Sequence, residues 1–109
     1  MAVDREFEVH LKDLFEPVGS INFRRMFGGI GIFRHGLMFA LSTSENRLAL
    51  KADDQTIPDF KAAGCEEWMP QQPGRKPISM GYWYAPEVLL EDPEELQAWA
   101  AKAFDAAAR

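Results

Sequence analysis

The chain begins with apolar residues at helical spacing. One stripe of an α-helix would carry Phe7, Leu11, Leu14, Phe15 and Val18. Asp4 is suited to cap the start of this helix, and Pro17 and Gly19 are suited to end it. The pattern therefore predicts a first helix over residues 4–15.

From Ile21 onward, apolar and polar residues alternate, which is typical of β-strands. The alternation predicts four strands, over residues 21–26, 30–34, 37–42 and 47–51. His35 and Gly36 separate the second strand from the third, and a polar loop over residues 43–46 precedes the fourth. Because such short connections favour antiparallel hairpins, we expect a meander.

The second half of the chain mixes helical and strand signals. It predicts a helix within residues 53–64, strands over 65–69 and 78–84, a helical turn over 86–90 and a final helix after Asp92. Asp92 followed by Pro93, with Glu95 three positions after the cap, is the clearest helix start in the chain. In the strand over 78–84, alternation places Ile78, Met80, Tyr82 and Tyr84 on one face, which we expect to point inward.

These elements follow the order α-β-β-β-β-α-β-β-α along 109 residues. Hairpins flanked by helices predict an α+β fold, a mainly antiparallel sheet with helices packed on one face. A chain of this length buries enough surface for one domain, over residues 1–109. The shared core is expected to contain Phe7, Leu11, Leu14, Leu48, Leu50, Trp99 and Phe104.

Composition limits where the protein works. Its longest stretch without charge or histidine is far shorter than the roughly 20 residues that cross a bilayer, so no membrane association is expected. The first residues are acidic and lack the pattern of a secretory signal, so the expected compartment is the cytoplasm. Cys65 is the single cysteine, and we expect it to be an inert, buried thiol.

Charge is unevenly distributed. The net charge is −5, yet residues 20–51 carry five basic side chains against Glu45 alone. Direct DNA binding would require Arg24, Arg25, Arg34 and Arg47 to share one surface. The acidic remainder opposes approach to a polyanion, so direct DNA binding is not expected.

Glycines cluster in the string Phe27-Gly28-Gly29-Ile30-Gly31. The string lacks the Lys-Ser or Lys-Thr pair of a P-loop, and it lacks the third glycine of a dinucleotide-binding loop. We interpret it as a tight turn and a bulge between two strands. The alternative is a groove near this turn that binds a small ligand or serves an enzyme.

No set of residues has the spacing of an active site or a metal site. His10 and His35 fall on different elements, and the acidic pairs at 53–54 and 66–67 are adjacent in sequence, which suits capping better than acid-base catalysis. We therefore expect no enzyme activity, no cofactor and no metal.

The sheet face turned away from the helices is a candidate interaction surface. Strand alternation assigns to it Phe33, Met38, Arg47, Lys51 and Trp83. Tryptophan among arginines is typical of an interaction hot spot, for a protein partner or a second copy of the chain. The alternative is that Trp83 belongs to the core.

Several segments together resemble the N-terminal domain of the TfoX/Sxy family. The longest is Arg24-Arg25-Met26-Phe27-Gly28-Gly29-Ile30-Gly31-Ile32-Phe33. Residues 36–41, 50–53, 58–60, 76–80 with Tyr82, and 92–96 with Trp99 and Ala100 match in order. The resemblance implies a curved antiparallel sheet laid out like the secretion-chaperone folds.

The resemblance also implies a regulatory role. Full-length members regulate natural competence and are proposed to act with the cyclic-AMP receptor protein at promoters of DNA-uptake genes. Those members carry a C-terminal helical domain, which we do not expect here because the sequence ends at Arg109. The resemblance assigns no catalytic residues.

Overall fold

A computed structural model describes residues 4–26, 28–70, 74, 76 and 79–109. Its helices are α1 (Arg5–Phe15), α2 (Ile57–Ala62) and α3 (Pro93–Ala108). Its strands are β1 (Ile21–Met26), β2 (Gly29–Arg34), β3 (Leu37–Ser42), β4 (Leu48–Lys51) and β5 (Tyr82–Tyr84). Short 3₁₀ turns span Glu16–Val18 and Glu87–Leu90. The order of helices and strands follows the prediction, with one strand in place of two between α2 and α3.

The helix caps predicted from the sequence, Asp4 and Asp92, are present in the structure. The Asp4 carboxylate accepts a hydrogen bond from the Glu6 N–H at the start of α1. Asp92 accepts one from the Glu95 N–H at 3.1 Å, with Pro93 as the first residue of α3. These bonds satisfy amides that the helices themselves leave unpaired.

The five strands form one antiparallel sheet in the order β1-β2-β3-β4-β5. Both α1 and α3 pack on one face and bury a core with Ile30, Ile32 and Leu50 at its centre. The predicted core is confirmed: Leu11, Leu14, Leu48 and Leu50 are buried in it, and Phe7, Trp99 and Phe104 pack against it. The fold is α+β, as predicted.

The strand register contains one irregularity. Ile32 pairs with Ala40 and Phe33 pairs with Met38, so Phe39 has no partner across the sheet. This bulge turns Phe39 into the helix-side core, where it is fully buried against Phe15 and Phe104.

Two strand predictions need correction. Residues 65–69 form no strand, because they contribute a single bridge between Glu67 and Trp83. The strand predicted over 78–84 is shortened to Tyr82–Tyr84, and Ile78 lies outside the described residues. Gly81 has a φ of +79°, and this left-handed conformation interrupts the extended backbone just before β5.

An ion pair joins the end of α3 to the residues before α2. The Arg109 guanidinium donates to both carboxylate oxygens of Asp53, which also accepts from the N–H groups of Gln55 and Thr56. These contacts, led by the Arg109 hydrogen bond, lower the pKa of Asp53 from 3.8 to about 2.

Asp53→Asn is therefore expected to change how stability depends on pH. A carboxylate whose pKa is lowered by folding stabilises the protein fully above its unfolded pKa, and this contribution disappears as pH falls through the folded pKa. The melting temperature of the parent should exceed that of Asp53→Asn above pH 3.8, and the gap should close toward pH 2. Thermal melts across this range test the prediction, and a gap that stays constant would contradict it.

Candidate functional site

The sheet surface opposite the helices, here called the outer face, carries a second and smaller cluster. Leu41, Ala49 and Tyr82 are buried there, with Met38 and Tyr84 packed against them. The register places Arg24, Gly31, Leu41, Ala49 and Tyr84 in one row across all five strands. Side chains of one row share a face, so the row defines this surface.

Gly31 makes room for three long side chains on the outer face. A Cβ at position 31 would lie 2.5 Å from Met26 Sδ, 2.9 Å from the Phe33 ring and 3.0 Å from Met38 Sδ. The missing side chain is therefore the reason that Met26, Phe33 and Met38 converge. They form a half-buried apolar patch beside Arg24.

Three cations lie over aromatic rings on the outer face. Arg24 is 5.6 Å from the centre of the Phe33 ring, Arg47 is 3.6 Å from that of Tyr84, and the Lys51 ammonium is 5.2 Å from that of Tyr82. Within the described part of the chain, none of the three forms an ion pair with a carboxylate. The rings hold these cations in place by cation–π attraction, and their charge remains uncompensated.

Tyr82 anchors this arrangement to the fold. Its hydroxyl donates to the Met38 carbonyl at 3.1 Å, and its ring meets the edge of Trp68 at 6.3 Å. Burial raises the pKa of Tyr82 to about 12, so the phenol stays neutral and keeps donating. Tyr82 therefore supports the face and offers no acid-base chemistry near neutral pH.

Four of the five residues predicted for the interaction face lie on it. They are Phe33, Met38, Arg47 and Lys51. The placement of Trp83 was wrong, because it pairs with Leu50 and packs on the helix side, 6.1 Å from Phe60. In β5, Tyr82 and Tyr84 face outward instead, so the alternation was assigned to the wrong faces.

The consecutive arginines Arg24 and Arg25 point to opposite faces. Arg25 donates to Glu8 of α1 at 2.7 Å, on the helix side. Arg34 lies over the Phe104 ring of α3, also on the helix side, at 5.2 Å. The arginines that direct DNA binding would need on one surface are thus divided between two.

The glycine string has structural reasons for its composition. Gly28 has a φ of +74° between β1 and β2, which agrees with the tight turn predicted for this string. A Cβ at Gly29 would lie 2.0 Å from the backbone oxygen of Ser42, so Gly29 allows β2 to approach β3. Phe27 lies outside the described residues.

Three pockets in the described part of the chain lie between β4 and the turn before α3, between α1 and β1, and beside Trp68. Among the described residues, no group of three or more His, Cys, Asp or Glu side chains is placed to hold a metal ion. Burial raises the pKa of the Cys65 thiol, which makes it a poorer nucleophile.

Comparison with known proteins assigns the chain to a family. The family model for the TfoX N-terminal domain matches residues 13–107. The chain belongs to this family. This TfoX N-terminal domain is 35% identical over 69 residues to the DNA transformation protein TfoX1 of Aliivibrio fischeri (strain ATCC 700601 / ES114). The match covers 59% of the present chain and 32% of that relative, so the chain spans about a third of the relative's length.

Sequence reasoning missed four residues of the outer face. These are Met26, Tyr82 and Tyr84, and Arg24 in its position over Phe33. Loop length was the signal that could have placed Arg24. With two residues between Met26 and Gly29, these two residues pair across the hairpin, so Arg24 lies opposite Gly31.

No helix in the described residues is long and apolar enough to cross a membrane.

Proposed function

We propose that this TfoX N-terminal domain is a cytoplasmic, non-enzymatic regulatory domain of the competence type that acts by binding a protein through its outer face. The family match and the name of the transformation protein from Aliivibrio fischeri support the competence role. The outer face supports the binding mode.

One observation carries the binding mode: three uncompensated cations held over aromatic rings of the same face. Arg24, Arg47 and Lys51 keep their charge available because no carboxylate of the described chain pairs with them. Beside them, Phe33 and Met38 are only half-buried. Arginine, methionine and aromatic residues are enriched in protein interfaces, where they combine contact area with directed hydrogen bonds.

A charge reversal on the outer face tests the proposal. In the native host, Lys51→Glu should reduce both transformation frequency and the transcripts of DNA-uptake genes toward the level of a deletion strain. The reason is that the variant places a carboxylate where a partner would meet an ammonium beside Tyr82.

Lys61→Glu is the matched control. Lys61 is exposed on α2, so this substitution changes the charge by the same amount at a position away from the outer face. It should behave like the parent. Circular dichroism on both purified variants confirms that they fold. A folded Lys51→Glu variant with parental transformation, or an equal loss in both variants, would contradict the outer face as the binding surface.

A further inference from the structure

Strand β1 is an edge of the sheet, and in the described residues no strand pairs with it on the side away from β2. In the described part of the chain, all six of its residues pair with β2 and no strand pairs beyond it. The opposite edge differs, because the N–H of Tyr84 donates to the Glu66 carbonyl and the N–H of Trp68 donates to the Tyr82 carbonyl. An edge strand presents unpaired N–H and C=O groups that can bind another strand.

The helix side of this edge combines apolar residues with acidic ones. A groove of about 330 Å³ runs between α1 and β1, with Phe15, Ile21 and Phe23 among its lining residues. Arg25 and Lys12 also point to this side and share the Glu8 carboxylate, while Asp13 and Glu16 line the groove. Because these two carboxylates disfavour an acidic side chain here and Ile21 and Phe23 offer apolar contact, an apolar side chain of an added strand would suit this side.

The outer side of the same edge is cationic. Asn22 and Arg24 are exposed there, and Arg24 has no carboxylate partner in the described residues. Alternate residues of an added strand would face this side, because side chains in a strand alternate between faces. A carboxylate opposite Arg24 would compensate its charge.

We propose that the β1 edge binds an extended segment of another protein in which acidic and apolar residues alternate. The segment adds a sixth strand to the sheet, with its apolar residues over the groove beside Phe23 and its carboxylates beside Arg24. Backbone hydrogen bonds supply the attachment, and the two differently charged sides of the edge select the sequence.

Pairing with the β1 strand of a second copy fits less well. Two antiparallel copies of Ile21–Met26 paired about Arg24 would place the two Arg24 side chains directly opposite each other, and Arg24 has no carboxylate partner among the described residues. Like charges that face each other across strands are destabilising, so Arg24 disfavours self-association while it favours an acidic segment.

A short synthetic peptide tests this inference. The probe is a capped hexapeptide of alternating glutamate and valine, titrated into the isotopically labelled chain, and a lysine–valine hexapeptide is its counterpart. The acidic peptide should bind more tightly than the basic one. It should shift the amide resonances of β1 and slow hydrogen exchange at alternate β1 residues, because new backbone hydrogen bonds form there.

Two variants test whether Arg24 selects the acidic peptide. Arg24→Glu should weaken binding of the acidic peptide about five- to tenfold, since an attraction becomes a repulsion, and should improve binding of the basic peptide. Lys61→Glu makes the same kind of charge reversal on α2, away from β1, and should leave the affinity nearly unchanged.

Three outcomes would overturn the inference. They are equal binding of the two peptides, resonance shifts on β4 and β5 in place of β1, and protection of β1 by dimerisation without peptide. These results are independent of the transformation assay with Lys51→Glu, so failure at the edge does not decide the role of the outer face.

Discussion

Phe39→Ala is expected to lower the free energy of unfolding by about 3–5 kcal/mol, the range for deleting a buried phenylalanine. The Phe39 ring is fully buried and meets Phe15 of α1 at 6.1 Å and Phe104 of α3 at 5.9 Å. Truncation would leave a cavity where two helices and the sheet meet. Urea denaturation followed by circular dichroism measures the loss.

Phe33→Ala is the matched control for this prediction. Phe33 belongs to the neighbouring strand but is half-buried on the outer face, so the same truncation removes less buried surface. Its loss should be clearly smaller than that of Phe39→Ala. Equal losses in the two variants would mean that Phe39 is not the junction between the helices and the sheet.

Gly29→Ala is expected to destabilise the domain by about 3 kcal/mol or more, at the upper end for overpacking. The added Cβ would lie 2.0 Å from the Ser42 carbonyl oxygen and 3.1 Å from its carbon. These are backbone atoms of β3, so β2 and β3 must separate and lose hydrogen bonds. A urea titration of the purified variant measures the effect.

Gly36→Ala separates steric conflict from backbone strain. Gly36 has a φ of +81° and nothing within 4 Å of the position of a Cβ, so only the strain of a left-handed residue applies. That strain costs about 1–2 kcal/mol. A Gly29→Ala variant as stable as Gly36→Ala would refute the close approach of β2 to β3.

Much of the secondary structure was predictable because its signals are local. Asp92 caps α3 through an amide only three residues away, and Gly28 enables a turn that spans two residues. Hydrophobic stripes identified the helical residues of the core for the same reason, since the periodicity of a helix shows which side chains share a side. These features need no knowledge of distant residues.

The ends of the strands depended on tertiary contacts. Alternation over residues 78–84 predicts a long strand, but β4 offers only Ala49, Leu50 and Lys51 as partners for β5. Residues 65–69 are extended enough to form one bridge with Trp83 and no more. A strand exists only as far as its neighbour pairs with it, and sequence alternation carries no information about the neighbour.

The candidate sites likewise depend partly on local sequence and partly on tertiary contacts. By itself the sequence determined the strand over residues 21–26 that carries Arg24 and Arg25, and adjacent side chains of a strand point to opposite faces. Only the tertiary structure decided that α1 brings Glu8 to Arg25 and leaves Arg24 uncompensated, and that Trp83 faces the helices. It also decided that a bulge directs Phe39 into the core. The physical reason is that alternation separates two sets of residues, whereas strand register and helix packing, which join distant residues, decide which set is buried.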